Sequence, residues 1–338
     1  MDWGRGYTSK YIGTLVDPDT WKDLVEVPIV DGQMTRDIET DLVESASVTI
    51  TDDYSDRELL FRIYMVAKQE GSILNRVALF TGVGIAPTKT INGRIFSYSI
   101  DLQSVLKFAD DRLLPLGWYA STGMPGAYIV RNLFRECGIQ VDNDISNSPA
   151  LKEEIVAESS ESYLSMAVKI IKAIEWRIRI DGFGVVHIEP LPTTSSLLIS
   201  SLGLDIIEKE ITDKKDWYSC PNVLRITTDT GCCIIKDSNE NMSARYSIPN
   251  RGREIWAEEE ANLSENETVT EFAYKRLKEL QKPQRELSYT RKFNPNVYVG
   301  DILYLKYAAQ GIDGMFRVSN QNIPFTHGSA TGETANEI

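Results

Sequence analysis

The chain has 338 residues, of which 42% are hydrophobic and 25% are charged. This length and composition exclude a wholly disordered protein and leave room for two or three domains with buried cores. The formal net charge of -13 is spread along the chain, which argues against duplex nucleic acid as a direct ligand, because such a ligand needs phosphate-neutralising Lys and Arg.

Membrane and metal-binding classes are also not expected. The N-terminus lacks an apolar segment behind a basic start, and the richest apolar run, residues 59–67, is short and broken by Arg62. We therefore predict no signal peptide and no membrane span. Four cysteines without a C-x-x-C pair and two histidines leave a zinc site short of ligands, so no metal or cofactor is predicted and the thiols are expected to be reduced.

Residues 23–114 have the pattern of successive strands. Residues 45–51 alternate polar and apolar side chains, as in a strand with one buried face. Residues 59–66 are apolar on both faces, which indicates either a strand buried inside the chain or one that contacts a partner. Two further strands follow at 77–85 and 94–102, the second after an Asn92-Gly93 turn. This series predicts a small barrel or a sandwich.

A Pro- and Gly-rich stretch at 113–126 separates these strands from a helical section. One helix is predicted after Pro125 and ends before Gly138, and a second spans 162–175 with an apolar stripe that includes Leu164 and Ile171. Residues 176–180 and 185–189 then form a hairpin around an Asp181-Gly182 turn. Together these elements predict a compact α/β module at 116–192.

The C-terminal part returns to strands. A linker is predicted at 190–196, a hairpin at 222–236 and another strand at 243–248. An amphipathic helix at 266–281 follows a capping box of Ser264 and Glu267 and ends before Pro283. Residues 294–319 then read as a strand, a tight turn and two further strands, the last of which follows Gly311 and Gly314.

The sequence signals for catalytic residues are weak. Glu158 and Glu161 stand beside serines, and we interpret this pattern as a helix cap. A Cys-His amidase needs a cysteine activated by a nearby histidine, but the chain has no cysteine in a strand-to-helix context that could pair with His187 or His327. Gly82 and Gly84 lack the third glycine and the following helix of a dinucleotide site. The basic and aromatic residues of 285–293 are explained by alternation along one strand. The sequence therefore predicts no active site.

The order of these elements resembles the baseplate or tail hub proteins of phage tails and related contractile particles, including R-type bacteriocins. The resemblance covers most of the chain. Its most specific part is the last, where the helix leads to Val299-Gly300-Asp301-Ile302 and then to the strand segments around Tyr304 and Met315.

The resemblance implies an α+β, mainly β fold, with two small β-barrel domains flanking the α/β module and the C-terminal helix packed on the second barrel. The domains implied are residues 1–115, 116–192 and 193–338. The function implied is a non-enzymatic structural hub, a homotrimer whose six barrels adapt a sixfold tail tube to a threefold spike or tip.

The partners implied are the tail tube protein, the central spike or tip protein, baseplate wedge proteins and a tape-measure protein, with no membrane and no specific nucleic-acid binding. The protein would be assembled in the host cytoplasm and become part of the virion or tail-like particle. The two-sided strand supplies the candidate interface residues Leu60, Tyr64 and Val66.

Two alternatives from other classes stay open. One is a tail-associated peptidoglycan hydrolase that uses a pair of carboxylates. The other is a carbohydrate-binding tail protein that uses exposed tryptophans, for which the candidates are Trp3, Trp21, Trp118, Trp217 and Trp256.

Overall fold

The computed structural model of the chain describes residues 3, 6–51, 60–71, 74–143, 145, 147–200, 206–228, 231–261, 268–326 and 330–338. The described chain is mainly β-strand with a few helices, as the sequence predicts. The N-terminal strands, in chain order, are β1 (Thr8–Val16), β2 (Asp23–Asp37), β3 (Glu44–Ile50), β4 (Leu60–Lys68), β5 (Asn75–Asn92) and β6 (Ile95–Ser104).

A helical section follows. Its elements are α1 (Lys107–Asp110), β7 (Tyr119–Ala120), α2 (Gly126–Glu136), β8 (Ile155–Val156), α3 (Tyr163–Ala173), β9 (Trp176–Ile180) and β10 (Val186–Pro190). The remaining elements are β11 (Ser195–Ser200), β12 (Ile206–Asp216), β13 (Val223–Thr228), β14 (Gly231–Lys236), α4 (Ile248–Arg251), β15 (Trp256–Glu260), α5 (Val269–Leu280), β16 (Gln284–Lys292), β17 (Ile302–Tyr307), a short 3-10 helix (Ala308–Gln310), β18 (Ile312–Pro324) and β19 (Ala330–Glu337).

The first six strands form a closed set of pairings. They hydrogen-bond in the order β1, β4, β5, β6, β3 and β2, and β2 also pairs with β1. The alternation predicted for residues 45–51 is confirmed, since Ala46, Val48 and Ile50 are buried along β3. These side chains meet Ile63, Met65 and other residues of β4 in one hydrophobic core.

Six C-terminal strands form a second series. Their order is β11, β17, β18, β19, β16 and β12, in which β11 and β17 are parallel. The long strand β18 joins the two series, because residues 312–317 pair with β17 while residues 320–324 pair with β2. The predicted alternation of residues 285–293 along one strand is confirmed, with Arg285, Leu287, Tyr289 and Arg291 buried in β16.

The helical section has its own core. The predicted helices are confirmed as α2 and α3, and the predicted hairpin as β9 and β10. Gly138 adopts φ +77° just past α2, the left-handed conformation that a glycine supplies at a helix end. Val130, Phe134, Ile170 and other apolar residues of α2 and α3 pack with Ile180 of the hairpin.

The chain divides into two structural units. The first comprises residues up to 211 with 288–336 and 338, and the second comprises 212–287 with 337. The predicted domain boundaries at residues 115 and 192 stay a prediction.

The second unit contains a three-stranded sheet in the order β14, β13 and β15. The predicted hairpin at 222–236 is confirmed, and α5 packs on this sheet through Ala273 and Leu277. The helix thus lies on a three-stranded sheet and not on a barrel, because its apolar stripe matches Leu224, Ile226 and Ile235. The capping box predicted at Ser264 and Glu267 lies outside the described residues, and Thr268 caps α5 instead by accepting a hydrogen bond from the Glu271 backbone N–H.

The strand predicted at 243–248 is wrong, and so is the first of the three strands predicted in 294–319, because residues 293–301 are turns and irregular chain. Residues 239–247 form turns that lead into α4, and Pro249 stands in the first turn of that helix. The side chains of Asn239 and Asn241 accept hydrogen bonds from backbone N–H groups two residues further on, which favours turns over a ladder.

Candidate interaction surfaces

The predicted interface strand is β4, which lies between β1 and β5. Leu60 and Tyr64 are buried within the chain, with exposed fractions of 2% and 6%, and Val66 is partly exposed. The two apolar faces of β4 are therefore largely used inside the chain. A contact of Leu60, Tyr64 and Val66 with another subunit stays a prediction.

The second face of β4 is covered by the helical section. The ring of Phe183, in the β9–β10 turn, lies 6.4 Å from the Tyr64 ring and 5.2 Å from the Arg62 guanidinium carbon. Arg62, the one charge in this apolar run, donates hydrogen bonds to Thr81 Oγ1 at 2.8 Å and to Asp23 Oδ1 at 2.7 Å. Burial and the hydrogen bond donated to Asp23 raise the pKa of Tyr64.

A second group of charged contacts involves the Gly300-Asp301 turn. Arg177 of β9 lies 2.8 Å from Asp301 Oδ1 and 2.6 Å from Glu189 Oε1, and it donates to the Val299 carbonyl oxygen at 3.0 Å. Gly300 has φ +87°, and a Cβ at this position would lie 2.9 Å from Arg177 Nη1. The segment that carries the most specific resemblance therefore holds the helical section in place.

The carboxylates at the start of α3 have structural roles. Glu161 accepts hydrogen bonds from the Glu158 backbone N–H and from Ser165 Oγ, and it lies 2.8 Å from Lys169 Nζ. Although burial acts to raise its pKa, these contacts lower the pKa of Glu161. Ser162 is the N-cap and accepts a hydrogen bond from Ser165 N, so the predicted cap is confirmed.

His187 lies between two carboxylates. Its Nδ1 is 2.9 Å from Asp142 Oδ2 and its Nε2 is 3.3 Å from Asp181 Oδ2. These two contacts connect strand β10 to the neighbouring turns. His327 lies outside the described residues. Burial raises the pKa of the Cys137 and Cys220 thiols, which lowers their thiolate fraction. Among the described residues, no group of three or more His, Cys, Asp or Glu side chains is arranged to hold a metal ion.

An exposed apolar surface lies at the end of the β5–β6 hairpin. We call residues 87–96 the hairpin tip, and each of them is exposed. Ile91, Ile95 and Phe96 are 62%, 71% and 44% exposed. The predicted Asn92-Gly93 turn closes the hairpin, with Gly93 at φ +62°. A two-stranded ribbon with exposed apolar side chains is a surface suited to a protein partner.

Comparisons with known proteins identify the fold. No protein-family model matches the chain, and no curated protein matches its sequence. The crystal structure of the 43 kDa tail protein of prophage MuSo2 from Shewanella oneidensis has a TM-score of 0.64 at 13% identity and covers 97% of each chain. A tail protein from Neisseria meningitidis MC58 has a TM-score of 0.65 at 13% identity, over 98% of this chain and 97% of that one.

The chain has the fold of phage tail proteins. A chain of the Francisella PdpA–VgrG complex has a related structure, with a TM-score of 0.58 at 9% identity over 98% of this chain and 58% of that one. Among the described residues of this tail-protein fold, no helix is long and apolar enough to cross a membrane.

The sequence predicts only some of the side chains that are exposed in the structure. The Asn-Gly turn was a usable signal for the hairpin, but its apolar flanks did not reveal that Ile91 and Ile95 stay outside the core. Of the candidate tryptophans, Trp217 and Trp256 are exposed, whereas Trp3, Trp21 and Trp118 are partly buried.

Proposed function

We propose that the protein is a non-enzymatic structural component of a phage-like tail, the hub of its baseplate. The observation that carries this proposal is the likeness in fold to two tail proteins over at least 97% of each chain. A likeness of that extent leaves little of the chain outside the shared architecture. The proposed location is the tail tip of the assembled particle.

We further propose that the hub is a homotrimer with two barrel-like strand sets per chain. The closed pairing of β1 to β6 and the second series of six strands support this duplication. Three chains would then present six similar units to a sixfold tail tube while keeping a threefold axis for the spike or tip. The proposed partners are the tube, the spike or tip, baseplate wedge proteins and a tape-measure protein.

The hairpin tip is the proposed contact between subunits. Ile91, Ile95 and Phe96 expose apolar surface that a neighbouring copy would cover, whereas Leu60 and Tyr64 are already buried in their own chain. Removing exposed apolar area from water contributes roughly 25 cal/mol per Å² to association. Aspartate at positions 91 and 95 would therefore oppose assembly without disturbing the core.

The trimer is tested by native mass spectrometry of the purified full chain. Wild type is expected as a trimer, and the double variant Ile91→Asp, Ile95→Asp as a folded monomer with the circular dichroism spectrum of wild type. Leu116→Asp is the matched control, because Leu116 is 90% exposed and lies outside the hairpin tip; it should remain trimeric. A monomeric wild type, or a trimeric double variant, would contradict the proposed contact.

The proposal that the protein has no enzymatic activity is tested separately. Purified protein is incubated with peptidoglycan, and soluble fragments are measured by mass spectrometry. We expect no release above a heat-denatured control. Release that disappears on substitution of a single carboxylate would establish the hydrolase alternative instead.

A further inference from the structure

The second unit contains a cationic cavity in an otherwise acidic chain. The cavity has a volume of about 560 Å³ and is lined by Lys215, Trp217, Arg245, Tyr246, Arg251 and Arg253, among others. None of the described residues that line it is acidic. Since the chain as a whole carries a net charge of -13, this concentration of positive charge is a local departure from the overall composition.

Two of the arginines are fixed by the protein itself. Arg251 donates to the carbonyl oxygens of Cys220 and Trp217, and its guanidinium carbon lies 5.9 Å from the Trp217 ring centroid. Arg253 donates to Tyr218 Oη at 3.0 Å and lies 4.4 Å from the centroid of that ring. The hydrogen bond and the charge of Arg253 lower the pKa of Tyr218, as expected near positive charge. These contacts fix the guanidinium groups of Arg251 and Arg253 in the wall of the cavity before a ligand binds.

The other two cations are available to a ligand. The Arg245 side chain is exposed and forms no hydrogen bond or ion pair with any described residue. Lys215 is exposed in the same lining, and the Asp213 carboxylate, which interacts with its charge, is bound through both oxygens by Arg285. The nearby Asp216 carboxylate instead accepts hydrogen bonds from the backbone N–H groups of Tyr218 and Ser219.

A cavity in the first unit provides a contrast. It has a volume of about 340 Å³, and its lining includes Arg177 and Arg317. Both arginines are engaged inside the protein, Arg177 with Asp301 and Glu189, and Arg317 with the carbonyl oxygens of Gly300 and Pro192. The remaining cation of this lining, Lys172, is accompanied by the carboxylates of Glu39 and Asp41, whereas the described lining of the cavity in the second unit contains no acidic residue.

We propose that the cavity around Arg245 is a docking site for an acidic segment of a partner protein. Asp or Glu side chains of that segment pair with Arg245 and Lys215, while Trp217, which is 56% exposed, supplies apolar contact. Arg, Trp and Tyr are the residue types that dominate protein–protein binding energy. This site goes beyond the proposed trimer and does not depend on it.

Two other anionic or stacking ligands fit less well. A long nucleic acid would extend past the cavity and meet the negative charge of the rest of the chain, which repels it over about 10 Å at moderate salt. A neutral sugar offers no negative charge to Arg245 and Lys215, which are both exposed in the lining. A short acidic peptide meets neither obstacle.

The test is fluorescence anisotropy with a labelled short peptide of alternating Glu and Ala, added to the full chain at low salt. Wild type is expected to bind it, with affinity that falls as salt rises. The double variant Lys215→Glu, Arg245→Glu should bind at least about tenfold more weakly, because both direct charge pairs become repulsive. Its melting temperature should stay close to wild type, since neither side chain holds a carbonyl group.

Matched controls separate the site from the general charge of the chain. Lys152→Glu with Lys10→Glu makes the same change in net charge at exposed lysines of the first unit and should leave binding within about twofold of wild type. Equal losses in both double variants, absence of peptide binding, or tighter binding of oligothymidine or of an oligogalacturonate than of the peptide would each overturn the proposal.

Discussion

The side chains of Arg36 and Glu44 lie next to each other in the interior of the first unit. Their side chains are almost fully buried, with Arg36 Nε 3.5 Å from Glu44 Oε2, and neither Arg36 Nε nor Glu44 Oε1 has a hydrogen-bond partner among the described residues. Burial raises the pKa of Glu44 to about 8, although the Arg36 charge acts to lower it. The protonated carboxyl is thus favoured in the folded chain near neutral pH.

The pKa of Glu44 predicts a pH-dependent stability. Because its folded value of about 8 exceeds its ordinary value of 4.5, its stabilising contribution is complete below about pH 4.5 and is lost as the pH rises through about 8. At about 1.4 kcal/mol per pKa unit, the wild type should lose roughly 3 to 5 kcal/mol from this group between pH 5 and pH 9. Glu44→Gln, which imitates the neutral acid, should lack that loss.

Urea unfolding of both proteins at pH 5 and pH 9 checks this prediction. The exposed Glu39→Gln serves as the control and should follow the wild type at both values. Parallel pH profiles for wild type and Glu44→Gln would mean that Glu44 is ionised in the folded chain.

Gly182 sits where the β9–β10 turn approaches β5. A Cβ at this position would lie 1.9 Å from the Ala78 carbonyl oxygen, and the Gly182 carbonyl accepts a hydrogen bond from Thr81 Oγ1 at 2.8 Å. Gly182→Ala should therefore lower the free energy of unfolding by about 2 kcal/mol or more, because backbone must move. Gly332→Ala, with its nearest neighbour at 4.0 Å, is the control and should have little effect in the same denaturation assay.

At the scale of elements, α5 stabilises the second unit through a narrow apolar stripe. Leu277 is 3% exposed and contacts the core formed by Leu224, Ile226 and Ile235. Leu277→Ala should cost about 3 kcal/mol, since it removes buried methyl groups and leaves a cavity.

Hydrogen exchange provides the measurement for α5. Amides of β13 and β14 should exchange faster in Leu277→Ala, whereas the exposed Lys275→Ala on the same helix should leave them protected. Unchanged protection in Leu277→Ala would show that α5 does not stabilise this sheet.

The elements that the sequence predicts well are those with a local signal. The alternation in β3, the apolar stripe of α3 and the glycine after α2 each depend on neighbouring residues, and all three are confirmed. The strand expected at 243–248 is wrong because Asn239 and Asn241 hydrogen-bond to nearby backbone, which competes with strand pairing.

The non-local features were harder to predict. Periodicity cannot tell whether the second face of β4 meets another subunit or the Phe183 turn of the same chain, since both require apolar residues. In the same way, the pairing of residues 320–324 of β18 with β2 joins segments almost 300 positions apart, and no local pattern encodes it. The cationic cavity combines residues from 215 to 283 that only tertiary structure brings together.

At the scale of the whole molecule, the two series of six strands are the feature most closely tied to the proposed role. One series closes on itself through β1 and β2, and β18 connects it to the other. In the proposed trimer, three such chains would provide six strand sets, the number that a sixfold tube requires, and the exposed hairpin tip would contact a neighbouring copy.

The central claim is tested most directly by a cryo-electron microscopy reconstruction of a tail particle that contains this chain. We predict three copies around the particle axis, between the tail tube and the spike or tip, with each hairpin tip in contact with a neighbouring copy. A single copy, a full ring of six copies, or a position on a peripheral fibre would contradict the proposal that the protein is the hub.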